Sequence, residues 1–121
     1  MYADTDFFLA LLKGEDWLKE KAIIELNNYR GSITTSFVTI VELLFASKKY
    51  NMDPEDLFHC VYAISDVIGV EEEKALAAAH LVKKKNVSAC NALHACMCGG
   101  TIISSDNIFD GLGIFRVKLE R

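Results

Sequence analysis

An excess of basic residues is missing from this chain. Its 121 residues hold 13 lysines and arginines against 17 aspartates and glutamates, a net charge of −4. Proteins that grip phosphate backbones by bulk charge are basic, so the simplest kind of nucleic-acid binder is excluded. Any phosphate ligand then needs local lysines or bound cations. The local basic runs, Lys48-Lys49 and Lys83-Lys84-Lys85, read as solvated helix ends. Proline is almost absent, with one residue, and glycine is limited to seven, which argues against linker-rich organisation; no internal repeat is visible. No apolar run approaches the ~20 residues of a membrane span. The start, with Asp4 and Asp6 and no basic segment, does not read as a signal peptide. These absences lead to the expectation of a cytoplasmic protein with no membrane association.

Disulfide spacing is also lacking. Cys60, Cys90, Cys96 and Cys98 form no paired Cys-x-x-Cys knuckle, and disulfides are uncommon in the cytosol. Cys90, His94 and Cys98 would share one helical face, an arrangement that suits a metal. Small cysteines among alanines are nonetheless ordinary core residues, and the zinc reading is set aside.

What is present is ordinary globular composition, 51% hydrophobic and 25% charged, in a length that implies a single domain over residues 1–121. Tyr2-Ala3 reads as a short strand running through Asp4 into a helix that ends near Gly14. Asp16 to Tyr29 carries Trp17, Leu18, Ala22, Ile23, Leu26 and Tyr29 at helical spacing. Ser32 to Thr35 is the second strand. Ser36 caps a helix over Val38 to Lys49, whose nearly continuous apolar content predicts that it is largely buried. Asp53 and Pro54 open another helix. Asp66 to Val70 contains a strand, and Glu71 to Lys85 is a helix with charges matched to its macrodipole. Val87 to Cys98 is a helix opened by Ser88 and closed by Gly99-Gly100. Thr101 to Ser104 is the clearest strand, and Ile114 to Val117 the last. Strands alternating with helices predict an α/β fold of three layers, a short parallel sheet with helices on both faces.

In a parallel sheet the carboxyl ends of the strands gather along one edge, where ligands bind. Asp4 ends the first strand. Asp106 and Asp110 follow the strand Thr101–Ser104, and Asn91 opens the helix that feeds it. Glu42 is the lone acid in its apolar helix, and burying a carboxylate without a partner or a cation is costly. Two carboxylates at 4 Å repel by about 4 kcal/mol at an effective dielectric near 20. A hard cation, Mg²⁺ or Mn²⁺, relieves that repulsion, polarises a phosphodiester and activates water. The alternative, that each acid separately caps a helix or closes a turn, leaves Glu42 unexplained.

Four segments in order carry a resemblance. Tyr2-Ala3-Asp4-Thr5-Asp6-Phe7-Phe8, Thr39-Ile40-Val41-Glu42-Leu43, Asn91-Ala92-Leu93-His94-Ala95 and Thr101 to Phe109 are similar to those of the PIN-domain ribonucleases, which include the VapC-type toxins. The resemblance implies a Mg²⁺- or Mn²⁺-dependent endoribonuclease acting on RNA. It matches Asp4, Glu42 and Asp106 to the family's acids as catalytic residues and metal ligands, with Asp110 as a further carboxylate ligand and Thr5 and Ser104 in support. It further implies a homodimer and an antitoxin protein as partners. The family's third acid is Asn91 here, which keeps a carbonyl oxygen but removes one negative charge. A weakened domain that binds RNA or protein without cleaving is therefore the alternative expectation. His94 is read as a packed residue, not a base. A receiver-like signalling domain, for which Lys118 would be the last-strand lysine, lacks its middle-strand aspartate.

Overall fold

The computed structural model describes residues 1–120. Five strands form one parallel sheet in the order β3-β2-β1-β4-β5. They are β1 (Tyr2–Ala3), β2 (Thr34–Ser36), β3 (Asp66–Ile68), β4 (Thr101–Ser104) and β5 (Phe115–Lys118). The helices are α1 (Thr5–Leu12), α2 (Lys19–Asn28), α3 (Phe37–Lys49), α4 (Pro54–Ile64), α5 (Glu72–Lys85) and α6 (Ala89–Met97), with a 3-10 helix over Asn107–Leu112. The expected α/β architecture is the one observed. Only two residues long, β1 is nonetheless central, with Tyr2 paired to Thr34 of β2 and to Ile102 of β4. The strand order reverses at β1, and that switch point is where open parallel sheets form a crevice beyond their carboxyl ends.

Strand alternation sends neighbouring residues to opposite faces. Ala3 and Ile103 join Phe7, Phe8, Ile33, Leu43, Val61 and Leu119 in the larger core. Their neighbours Tyr2 and Ile102 pack with Cys98 and Phe109 on the other face. Both faces are thus covered; β1 and the middle of β4 carry hydrophobic side chains, while β2 buries Thr35 and Ser36 with their hydroxyls hydrogen-bonded.

The structure differs from expectation at two helices. α3 is not largely buried: Val38, Ile40 and Leu43 face inward, while Phe37, Val41, Leu44 and Phe45 are exposed. The helix packs along one stripe only, and its apolar outer stripe is left on the surface. In the second helical segment, Asp16 Oδ1 accepts from the Leu18 amide at 2.8 Å, and the regular helix begins at Lys19. The inward stripe there is Leu18, Ala22 and Leu26, with Trp17 and Ile23 exposed. The cap Asp53 behaves as its sequence suggests, accepting from Glu55 and Asp56 amides.

Ile103 is fully buried at the centre of the sheet. Truncation there leaves a cavity in an interior packed like a solid, so Ile103→Ala should lower unfolding stability by ~2–5 kcal/mol. A urea melt of the variant against the parent chain checks this.

Candidate active site at the strand ends

Asp4 follows β1 directly, and its backbone N–H continues the sheet by donating to the Ile103 carbonyl at 3.0 Å. Its extended backbone makes it the N-cap of α1, with Oδ1 accepting from the Thr5 amide at 2.7 Å. The second oxygen, Oδ2, accepts from the Ser104 hydroxyl at 2.7 Å. Capping and cleft are therefore not rival readings of Asp4. The cap is what fixes the carboxylate at the crevice, where it is only 6% exposed.

Thr5 turns the next link. Its hydroxyl donates to Glu42 Oε1 at 2.8 Å, drawing the α3 carboxylate in from a half-open position. Thr35 and Thr39 form a buried hydroxyl pair 2.7 Å apart, in which Thr35 donates to the Ala3 carbonyl at 2.9 Å and so accepts from Thr39. From α6 comes His94, fully buried. Its Nε2 lies 2.5 Å from Glu42 Oε1 and 3.3 Å from Asp4 Oδ1. Nε2 faces two carboxylate oxygens, so in the ion-free protein it carries a hydrogen. Its Nδ1 is 2.7 Å from the Tyr2 hydroxyl, which is 2.8 Å from Ser36 Oγ. Asp4, Glu42 and His94 together offer ligand atoms within 4.8 Å of one another.

The end of β4 is tied to the start of α1. Asp6 Oδ2 accepts from the Ser105 amide at 2.8 Å and from the Ser105 hydroxyl. Asp6 Oδ1 is buried with no hydrogen-bond partner among the described residues. Asp106 caps the 3-10 helix through Oδ1, which accepts from the Ile108 amide at 3.0 Å, while Oδ2 accepts from Asn91 Nδ2 at 3.3 Å. Its amide donates to Ser104 Oγ at 3.0 Å. One serine hydroxyl thus links Asp106 to Asp4.

Among the described residues Asp106 and Asp110 lie outside the group that gathers Asp4, Glu42 and His94. Asp110 is held instead by Arg116, whose Nε and Nη2 donate to its two oxygens at 3.1 and 3.0 Å. Arg116 Nη1 also donates to the Ser104 carbonyl at 3.2 Å. The pair braces β5 against the end of β4. His94, expected to be packing only, is instead the residue that touches both central carboxylates. The readable signal was its spacing of three from Asn91, which sets the two side chains on one helical face. The Cys90, His94 and Cys98 trio does not assemble: both imidazole nitrogens have other partners, Cys98 Sγ donates to the Ala95 carbonyl, and the cysteines are free thiols.

Charge is finely set at this edge. Burial raises the Asp4 carboxyl above its usual range, opposed by His94 and by the Ser104 and Thr5 hydrogen bonds. Burial also pushes Glu42 up, but the hydrogen bonds and charge of His94, with Thr5, more than offset it and hold Glu42 low. For His94 burial acts downward, and the surrounding Glu42, Asp4 and Asp6 carboxylates win, raising it. Asp6 is pushed up to about 7 by burial and then by the Asp4 charge.

An aspartate in the unfolded chain loses its proton near 4, whereas folded Asp6 keeps its proton to about 7. Between those pH values the folded chain binds more protons, so this carboxyl makes stability fall as pH rises through the window. Without divalent cations, Asp6→Asn should flatten that part of the decline. Thermal melts of both proteins from pH 4 to 8 in EDTA measure it.

No protein-family model and no curated protein sequence matches the chain. Solved structures do. VapC20 of Mycobacterium tuberculosis, a sarcin–ricin-loop-cleaving toxin, superposes with a TM-score of 0.85 at 15% identity, covering 97% of this chain and 98% of that one. A toxin–antitoxin complex from Klebsiella pneumoniae gives a TM-score of 0.76 at 18% identity, over 99% and 98% of the two chains. DNA-bound VapBC from Salmonella typhimurium gives 0.70 at 17%, over 98% and 97%. The five-stranded parallel sheet and its helices are, over nearly their whole length, the PIN-domain fold of the VapC toxins.

Proposed function

We propose that this chain is a divalent-cation-dependent endoribonuclease, the toxin of a toxin–antitoxin pair. The observation that carries the reading is the approach of Glu42 to Asp4 at the switch point of the sheet, with their ligand atoms and that of His94 within 4.8 Å. The likeness to a toxin that cleaves the sarcin–ricin loop supports RNA as the substrate class. The donor set suits a cation: hard carboxylate oxygens, buried or half-buried, whose mutual repulsion a positive ion relieves. Asp6 Oδ1, buried without a hydrogen-bond partner among the described residues, is a further oxygen that a cation would satisfy.

Asp4 and Glu42 would hold Mg²⁺ or Mn²⁺, with Asp106 contributing from the end of the neighbouring strand. Bound there, the ion polarises a phosphoryl oxygen and lowers the pKa of a water at the site. The chain's own part is to aim and desolvate its carboxylates. Ser104 and Thr5 orient Asp4, and Thr5 orients Glu42. The N-terminus of α1 places its positive dipole end against Asp4. With a net charge of −4, the protein needs the cation to bring a phosphodiester to its acidic edge. Asn91 removes one charge from that edge and holds Asp106 by a neutral donor.

The same reading assigns a second copy of this chain and an antitoxin as partners, and the cytoplasm as the compartment. Phe37, Val41, Leu44 and Phe45 give α3 an exposed apolar stripe on which a partner can rest, and VapBC assemblies with a similar toxin fold support the pairing. No described helix is long and apolar enough to cross a membrane.

Cleavage of a structured RNA in Mn²⁺ should fall by on the order of 100-fold or more in Asp4→Asn and in Glu42→Gln, beyond what is usual for a cation's outer partners. Cutting that survives EDTA and both substitutions contradicts the reading. Asn91→Asp exchanges a donor for a second carboxylate opposite Asp106. It should lower the melting temperature in EDTA, and calorimetry should show tighter Mn²⁺ binding. Added Mn²⁺ should then restore more stability to the variant than to the parent chain.

A further inference from the structure

His94 stands in a relation to the two carboxylates that packing alone does not call for. A core histidine is satisfied by one acceptor and one donor. Here Nε2 is directed at both Glu42 and Asp4, and the ring is fully enclosed. Histidines that bind metals through one nitrogen have the other fixed by a hydrogen bond, which sets the tautomer and the ring's orientation. That outer partner is already built: Nδ1 meets the Tyr2 hydroxyl at 2.7 Å, and Tyr2 meets Ser36 Oγ at 2.8 Å. Hydroxyls donate and accept alike. With a hydrogen on Nδ1, the chain runs Nδ1–H to Tyr2 Oη, and Tyr2 O–H to Ser36 Oγ. Nε2 is then left with a lone pair aimed between Asp4 and Glu42.

We propose that His94 Nε2 is a direct ligand of the divalent cation held by Asp4 and Glu42, making the centre a mixed nitrogen and oxygen site that selects Mn²⁺ and related transition ions over Mg²⁺. The inference rests on the cation-dependent reading above. Ligand atoms at about 2.1 Å from an ion and at right angles are about 3.0 Å apart, and tetrahedral ones about 3.4 Å. The separation of Nε2 from Asp4 Oδ1, 3.3 Å, lies in that range. The 2.5 Å contact with Glu42 is a hydrogen-bond length and opens on binding; Glu42 is the side chain free to yield, being 30% exposed. Imidazole nitrogen favours transition ions, whereas Mg²⁺ favours oxygen and keeps its waters. With Asn91 at the position of a third acid, His94 supplies a further donor without adding charge.

The test is pulsed electron paramagnetic resonance of the Mn²⁺-loaded chain with its three histidines labelled with ¹⁵N, alongside calorimetric affinities for Mn²⁺ and Mg²⁺. A directly bonded imidazole gives a ¹⁵N coupling in the parent protein, and the spectrum itself needs no variant. His94→Gln, checked for folding by circular dichroism, should lose the coupling, and its preference for Mn²⁺ over Mg²⁺ should fall ~10-fold or more. Mn²⁺ bound tightly without nitrogen coupling, or a coupling that persists in folded His94→Gln, overturns the role of His94 and leaves the oxygen-ligated nuclease reading standing. No Mn²⁺ binding by the parent chain overturns both.

Discussion

The structure depends on keeping two carboxylates and an imidazole together at the end of a two-residue strand. Asp4 is almost wholly removed from water, and burying a charge is costly unless partners replace its hydration. The Thr5 amide, the Ser104 hydroxyl and His94 do so. Those donors come from α1 near the start of the chain and from α6 and β4 near its end. A strand too short to be stable alone thus becomes the hub of the sheet, since the residue that follows it, Asp4, is bonded to all three. The same donors leave Asp4 with a fixed orientation, which a ligand site requires and a surface aspartate lacks.

Around this hub the fold divides its work by alternation. Ala3, Ile102 and Ile103, which face the layers, are apolar, and Asp4, Ser36 and Ser104 stand at strand ends, while β2 also buries Thr35 with its hydroxyl held by the Ala3 carbonyl. The chirality and length of parallel connections bring those ends to one edge. The buried polar cluster of Asp4, Glu42 and His94 therefore sits at an edge whose position is set by packing elsewhere. Arg116, held between Asp110 and the Ser104 carbonyl, shows how an acid near the site can be given to structure instead.

Much of this was legible in the residues. Alternating short strands and helices implied the parallel sheet, and Asp53-Pro54, Ser88 and Gly99-Gly100 marked helix ends that the structure keeps closely. Asp4 and Glu42 could be placed in one crevice because strand ends converge. Less could be read where the outcome depends on which neighbour arrives. α3 looks buried all round because its composition does not reveal that only one stripe meets the sheet. Asp106 and Asp110 are near-equivalent in sequence, and their separation depends on Asn91 and Arg116, partners that three-dimensional packing supplies. His94 looked like filler for the same reason: its two acids lie 52 and 90 positions away along the chain.

The central claim is that this buried, partly neutralised triangle is a cation site. Anomalous diffraction from a crystal soaked in Mn²⁺ addresses it most directly. A peak is expected in contact with both Asp4 and Glu42 at the crevice beyond β1. A well-ordered crystal with no peak there, or with Mn²⁺ bound only at other surface acids, would contradict it.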